Sequence, residues 1–401
     1  MTVKELRALF PQLSRIIYGK PLVYLDNAAT SLRPQPVTND WLHHTAHCSS
    51  NLHRAVHRIA VEATQYYENT RKAVAAFLNV PNSNEIVFTS GATHSLNLLA
   101  YGIGEAFINE GDEIIVSEAE HHSNLVPWQM VCRRKGAKLV RLPVDDRGRL
   151  MTELLPSLVT PRTRAVCVAH VSNVLGLVNP IAEISDFCRP RGILTVVDGA
   201  QGVVHCPVDL QRLGCDFYAF SGHKMYAVPG TGVLWGRMGL LEKLPPIFGG
   251  GEMIDTVKWE SSTYAPPPRR FEAGTQNISG TPTLIPAIEL MARMPDMQDL
   301  RDYMLKELQA IDGLRLFGTS DDPELKVPLF SFCVEGAHHE DLALILDKMG
   351  IAVRSGQMCA EPLMDRFGVT GMLRASFAPY NSMQEAEYFI TSLRKAISML
   401  K

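Results

Sequence analysis

Short apolar runs, each closed by a small or polar residue, alternate along this chain with longer stretches whose apolar positions recur every three or four residues. Ile193 to Val197, rich in β-branched side chains, has the length and character of a strand buried on both faces. Ile114 to Val116, Ala165 to His170 and Phe217 to Phe220 repeat the theme, and EIVFTSGAT reads as a strand running into Gly91-Ala92-Thr93. Between them, Val61 to Leu78 has helical spacing, and HSLNLLAYGI starts a further helix. This alternation predicts an α/β fold with a mostly parallel sheet between helices. The first twenty residues read as a short helix and a turn, and LVYLDNAATSLRPQPV as a short strand ending at Asp26-Asn27. From Thr281 onward, TLIPAIELMARM and DLRDYMLKELQAI lead into a smaller α+β portion, and APPPRR (Ala265 to Arg270) reads as an irregular connection.

Composition narrows the class. At 401 residues the chain has room for two or three domains and a large core, and 46% apolar with 20% charged residues is ordinary for a globular enzyme. A net charge of −3 with interspersed signs gives no electrostatic case for nucleic acid or an anionic membrane. No apolar run approaches the roughly 20 residues of a membrane span, and because MTVKELRALFPQLS has no apolar h-region, it is not expected to act as a secretory signal. The 8 cysteines form no CxxC pairs, which fits a reducing cytoplasm better than a disulfide framework. His43 and His47 would share a helix face as zinc ligands do, but no HExxH glutamate or second ligand cluster accompanies them, so no metal is expected.

The candidate chemistry centres on Asp198, which ends the Ile193 run, and Lys224, just past the Phe217 run with Ser221 and His223 beside it. A strand-end Asp capping a helix and a surface Lys would account for either residue alone. Together they suit pyridoxal phosphate, which needs an amine for its Schiff base and an acid against its ring nitrogen. Open α/β sheets put ligands at the carboxyl ends of their strands, where both residues fall. Gly91-Ala92-Thr93 opens a helix whose first N–H groups are free for the phosphate, with Ala92 and Thr93 at its start. His121 and His122 follow the Ile114 strand, and an imidazole there can lie flat on a ring or move a proton.

VDGAQ, SGHK, the R-S-G-x-x-C-A-x-P stretch around Cys359 and LRASFAPYN together resemble the class-V aminotransferase group, specifically the group II cysteine desulfurases and cysteine sulfinate desulfinases. The resemblance runs from about residue 20 to 395. It implies the pyridoxal-phosphate fold type I, with a seven-stranded sheet in a large domain (21–278). A small domain (1–20 and 279–401) would carry the cysteine loop. It implies His121 as the ring-stacking residue, Asn173 and Gln201 against the cofactor's phenolic oxygen, and Thr275 reaching the phosphate of a partner subunit in a homodimer. Arg374 would pair with the substrate carboxylate, with Asn173, His53 and Arg354 nearby; Arg54 is a further candidate in the N-x-H-R loop. Cys359 would attack the sulfur of L-cysteine as a thiolate, with Lys224 or His121 shuttling protons. L-cysteine sulfinate and L-selenocysteine are the other implied substrates, and a SufE/CsdE-like protein the sulfur acceptor. An aminotransferase or kynureninase-like enzyme of the same fold is the competing expectation. Two positions depart from the pattern: Met358 stands where relatives carry His, and AVPGTG (Ala227 to Gly232) replaces GPTGIG.

Overall fold

The computed structural model describes residues 1–401. Its large sheet has seven strands. In spatial order these are Ile86–Thr89, Gly232–Gly236, Phe217–Ser221, Leu194–Asp198, Thr163–Ala169, Glu113–Ser117 and Lys138–Leu142. All run parallel except Gly232–Gly236, which is antiparallel to both its neighbours. Thr89, Ser117, Ala169, Asp198 and Ser221 therefore end at one edge of the sheet, where the antiparallel strand begins at Gly232.

The near-continuous apolar runs follow from burial on both faces. Ile115, Val166, Val168, Val197 and Phe220 enter one core with the helices Arg58–Phe77 and Ile181–Cys188. Their alternates Ile114, Val116, Ala165, Cys167, Val196 and Ala219 enter another with Ala92–Phe107 and Val126–Lys135. A strand's side chains alternate faces, so one short run feeds two cores.

A second, antiparallel sheet of four strands, in the order Leu314–Phe317, Leu329–Val334, Met372–Ser376 and Arg354–Gly356, packs with Gln298–Gln309, His339–Lys348 and Met383–Leu400 around its own core. The segment read as a strand ending at Asp26-Asn27 is shorter: Val23–Tyr24 pairs in parallel with Ile351–Ala352. The first twenty residues hold the expected helix, Val3–Arg7, capped reciprocally by Thr2 and Glu5. A small hairpin follows, Ile16–Ile17 with Lys20–Pro21, whose two-residue strands are too short to leave a periodic signal. No helix is long and apolar enough to cross a membrane.

Candidate active site

A cavity of about 240 Å³ opens at the strand ends of the large sheet, roofed by the four-stranded sheet. Lys224 lies on the single turn Gly222–Lys224 that follows its strand, and its amine makes no hydrogen bond or ion pair. The turn is pinned from outside. The His223 carbonyl accepts from Ser31 Oγ at 3.0 Å and Arg33 Nη2 at 2.9 Å, and His223 Nδ1 lies 3.1 Å from Thr30 Oγ1. Asp198, 5% exposed, accepts from the Ala200 N–H at 2.9 Å and has its other oxygen free. Burial pushes the Asp198 carboxyl up, with Lys224 pulling it back; burial pushes the Lys224 amine down, with Asp198 opposing.

The far end of the cavity is a helix start. Gly91 sits at φ +153° before the helix Ala92–Phe107, and the Ala92 N–H donates to Ser221 Oγ at 2.8 Å. The Thr93 and Ser123 hydroxyls meet at 2.8 Å on the cavity wall. The Gly91 turn lies so close to the antiparallel strand that a Cβ on Gly232 would come within 2.3 Å of Gly91 Cα.

His121 forms the side wall. Burial, with help from the Lys224 and Arg374 cations, pushes its imidazole down to about 4, so the ring is neutral near pH 7. Its Nδ1 accepts from the Ser123 N–H at 3.1 Å. Behind it lies a closed polar cluster. The Glu120 carboxyl accepts from the Ser117 hydroxyl, from the Ala169 N–H at 2.8 Å and from Asn124 Nδ2 at 2.6 Å, while Trp128 Nε1 donates to Asn124 Oδ1 at 3.1 Å. Burial raises the Glu120 carboxyl to about 8, and Asp198 adds to the shift.

On the opposite side, Arg374 is 2% exposed on the strand Met372–Ser376. It donates to the Asn173 carbonyl at 2.8 Å and to Asp26 Oδ1 at 3.2 Å, and its Nε is buried without a partner. Arg354 reaches Asp26 Oδ2 at 3.3 Å. Two guanidiniums against one carboxylate leave excess positive charge, which a substrate carboxylate would neutralise. Cys359 also lines the cavity; it is the exposed one of the free cysteines, whereas the others are buried or half-buried. Met358 and Cys359 stand consecutively at φ +55° and +56°.

The cavity thus brings together Ala92, Thr93, His121, Asn173, Asp198, Ser221, His223, Lys224, Arg354, Cys359 and Arg374. Gln201 lies just outside, its amide donating to the Ala28 carbonyl at 2.8 Å. The Asn173 side-chain amide donates to the Met358 carbonyl at 2.8 Å. His53 lies elsewhere, 3.0 Å from Glu68, with Arg54 paired to Glu252 at 2.6 Å. Thr275 lines a separate recess together with Phe248 and Glu272. Ser123 was not foreseen; Ala28 and Ala29 belong to the LVYLDNAATSLRPQPV stretch, which resembles the entry segment that forms part of the site wall in the class-V aminotransferase group. Asp26 had a usable signal, an acidic residue at a strand end, but only tertiary contact shows it holding two arginines. The His43 and His47 rings lie with centroids 5.4 Å apart, tilted by 41°, and no group of three or more His, Cys, Asp or Glu side chains could hold a metal.

Residues 23–389 match the family model for aminotransferase class-V. A probable cysteine desulfurase of Xylella fastidiosa is 45% identical over 99% of this chain and 96% of its own length. Among solved structures, the cysteine desulfurase CsdA (S-sulfonic acid) from Escherichia coli superposes with TM-score 0.91 at 39% identity, covering 100% of both chains. The apo cysteine desulfurase from Thermococcus onnurineus NA1 does so with TM-score 0.94 at 35% identity, over 100% of this chain and 99% of that one.

Proposed function

The chain belongs to the aminotransferase class-V family and, within it, to the pyridoxal-phosphate-dependent cysteine desulfurases; from that premise we propose that it converts L-cysteine to L-alanine and leaves the sulfur as a persulfide on Cys359. The observation that carries this reading is the convergence of Lys224, Asp198, Arg374 and the exposed Cys359 on one cavity.

The donor set fits the cofactor: an unpartnered amine, a buried carboxyl with one free oxygen, and a helix start edged by hydroxyls. When bound, pyridoxal phosphate supplies an electron sink for the bonds at the substrate's α-carbon. Asp198 would hold a proton at the ring nitrogen, and Thr93, the Ala92 region and Ser221 would hold the phosphate. His121, neutral near pH 7, would cover one ring face and can take a proton; Lys224, its amine depressed by burial, can take the α-proton and return it. Arg374 and Arg354 would orient the substrate carboxylate. Gln201 and Asn173 would serve the phenolic oxygen, Asn173 through the amide hydrogen that it does not give to Met358. The Cys359 thiolate then forms a bond to the substrate sulfur as the C–S bond breaks, so no external oxidant is required.

The same reading extends to L-cysteine sulfinate and L-selenocysteine, whose leaving fragments depart without a sulfur nucleophile. Residues 21–278 would form the cofactor unit, with 1–20 and 279–401 as the unit bringing Cys359. A SufE/CsdE-like protein would take the persulfide sulfur. A homodimer is supported by Val56 and Trp259, which are 96% and 98% exposed; Thr275, His53 and Arg54, which lie away from the cavity, would then serve the second copy's site.

The test is a single turnover with L-cysteine, measuring alanine and the mass of the Cys359 peptide. Alanine with one added sulfur on Cys359 is the expected result. Alanine from cysteine sulfinate alone, with Cys359 unmodified, would make the cysteine incidental. No alanine from either would return the aminotransferase or kynureninase-like alternative.

A further inference from the structure

His122 has no place in the chemistry above: its ring does not line the cavity, and its side chain is 34% exposed. It nevertheless touches the cysteine turn twice. Its main-chain N–H donates to the Cys359 carbonyl at 2.8 Å, and its Nε2 accepts from the Glu361 N–H at 3.3 Å. These contacts bracket the end of the turn, from Cys359 to the first residue of the helix Glu361–Phe367.

The turn needs holding. Met358 and Cys359 both occupy the left-handed region, at φ +55° and +56°, which side chains with a Cβ disfavour. Such a conformation persists only where its surroundings over-determine it. The Met358 carbonyl is held by the Asn173 amide, and the Cys359 carbonyl by His122. No side chain of the turn itself supplies a further anchor to its own carbonyls. The only charged group within ion-pair distance of the His122 ring is the Glu361 carboxylate, 3.8 Å away.

We infer that His122 is a positioning residue for Cys359: its ring fixes the Glu361 end of the turn, its amide fixes the Cys359 carbonyl, and together they keep the thiol facing the cavity. The inference rests on the reading of Cys359 as the nucleophile. It places the two adjacent histidines in different tasks, His121 on the cofactor wall and His122 on the sulfur-accepting turn.

The experiment uses the cofactor-loaded full chain and compares His122→Leu with His122→Gln, whose amide oxygen still offers Glu361 an acceptor. Two readouts are taken on the same samples, together with thermal midpoints. One is the rate of Cys359 alkylation by iodoacetamide, followed by peptide mass; the other is alanine formed from L-cysteine and from L-cysteine sulfinate. Loss of one neutral hydrogen bond corresponds to a change of about three- to tenfold. The Leu variant is expected to shift Cys359 alkylation and to lower cysteine turnover by that factor, with sulfinate turnover within about twofold of wild type and Gln restoring both. Wild-type behaviour of the Leu variant would overturn the inference. So would an equal loss on both substrates, which would place His122 on the cofactor wall with His121. If the Leu variant does not fold, His122→Asn, whose shorter amide stops short of Glu361, repeats the comparison. A Cys359→Ser protein that still turns over L-cysteine would instead overturn the nucleophile reading, and the alkylation readout would still decide the role of His122.

Discussion

Arg374 donates through Nη1 to the main-chain carbonyl of Asn173, 2.8 Å away across the seam between the two sheets. The guanidinium is therefore aimed by backbone on one side and by Asp26 on the other, a planar geometry that an ammonium cannot copy. Arg374→Lys is expected to raise KM for L-cysteine and to lower kcat/KM by about ten- to a hundredfold, the range for losing one charge-assisted hydrogen bond of about 1.5–3 kcal/mol. Steady-state kinetics with L-cysteine decides this, and an unchanged kcat/KM would remove Arg374 from substrate binding.

Gly232 answers a close approach. An added Cβ would lie 2.3 Å from Gly91 Cα and 2.4 Å from Gly91 N, backbone atoms that cannot step aside without opening the strand pair. Gly232→Ala is expected to destabilise the fold by about 1–3 kcal/mol and to weaken retention of the cofactor phosphate. Urea denaturation and cofactor content after dialysis measure the two effects. A variant with wild-type stability and full cofactor retention would show that the turn has slack.

Glu120 makes the fold's stability depend on pH in a specific direction. Burial raises its carboxyl to about 8, against an ordinary 4.5. The folded protein therefore keeps a proton that the unfolded chain releases. This contribution is complete below about pH 4.5 and is lost as pH rises toward 8, at up to about 1.4 kcal/mol per unit. Glu120→Gln removes the trend, so its stability relative to wild type is expected to improve between pH 5.5 and 8. Parallel denaturation curves across that range would mean that Glu120 is already ionised in the fold.

Histidines that are buried or half-buried pull the other way. His121, His170, His205 and His223 are each pushed down to about 4 by burial, from an ordinary 6.5. Between those values the unfolded chain binds protons that the folded state refuses. Their neutral forms therefore penalise folding progressively as pH falls from 6.5 toward 4. In wild type this opposes the Glu120 trend. In Glu120→Gln it stands without that opposition, and urea denaturation is expected to show lower stability at pH 5 than at pH 6.5. A flat profile in that variant would show that these imidazoles accept protons inside the fold.

Much of this was legible along the chain. Apolar runs closed by Asp198 and Ser221 announce strands with polar carboxyl ends, because burial on both faces leaves no polar position until the strand stops. Lys224, Cys359 and Arg374 were visible through their local motifs. The pairing role of Asp26 was not, since an acidic residue after a short strand reads as a turn until the arginines it holds are placed beside it. Glu120 was hidden as well, because Glu118 and Glu120 look alike in the sequence. In the fold Glu118 pairs with Arg141 at 3.0 Å, while Glu120 closes a cluster beneath His121.

By itself, then, the sequence determined the α/β alternation, the strand-end placement of Asp198 and Lys224 and the family to which the chain belongs. These follow from local periodicity and from motifs carried by neighbouring residues. Only the tertiary structure decided which distant groups meet: Arg374 with Asn173, Met358 with the Asn173 amide, Cys359 with His122. Those pairings join segments far apart in the chain through main-chain carbonyls and amides. Every residue carries such groups, so no pattern of side chains could announce them.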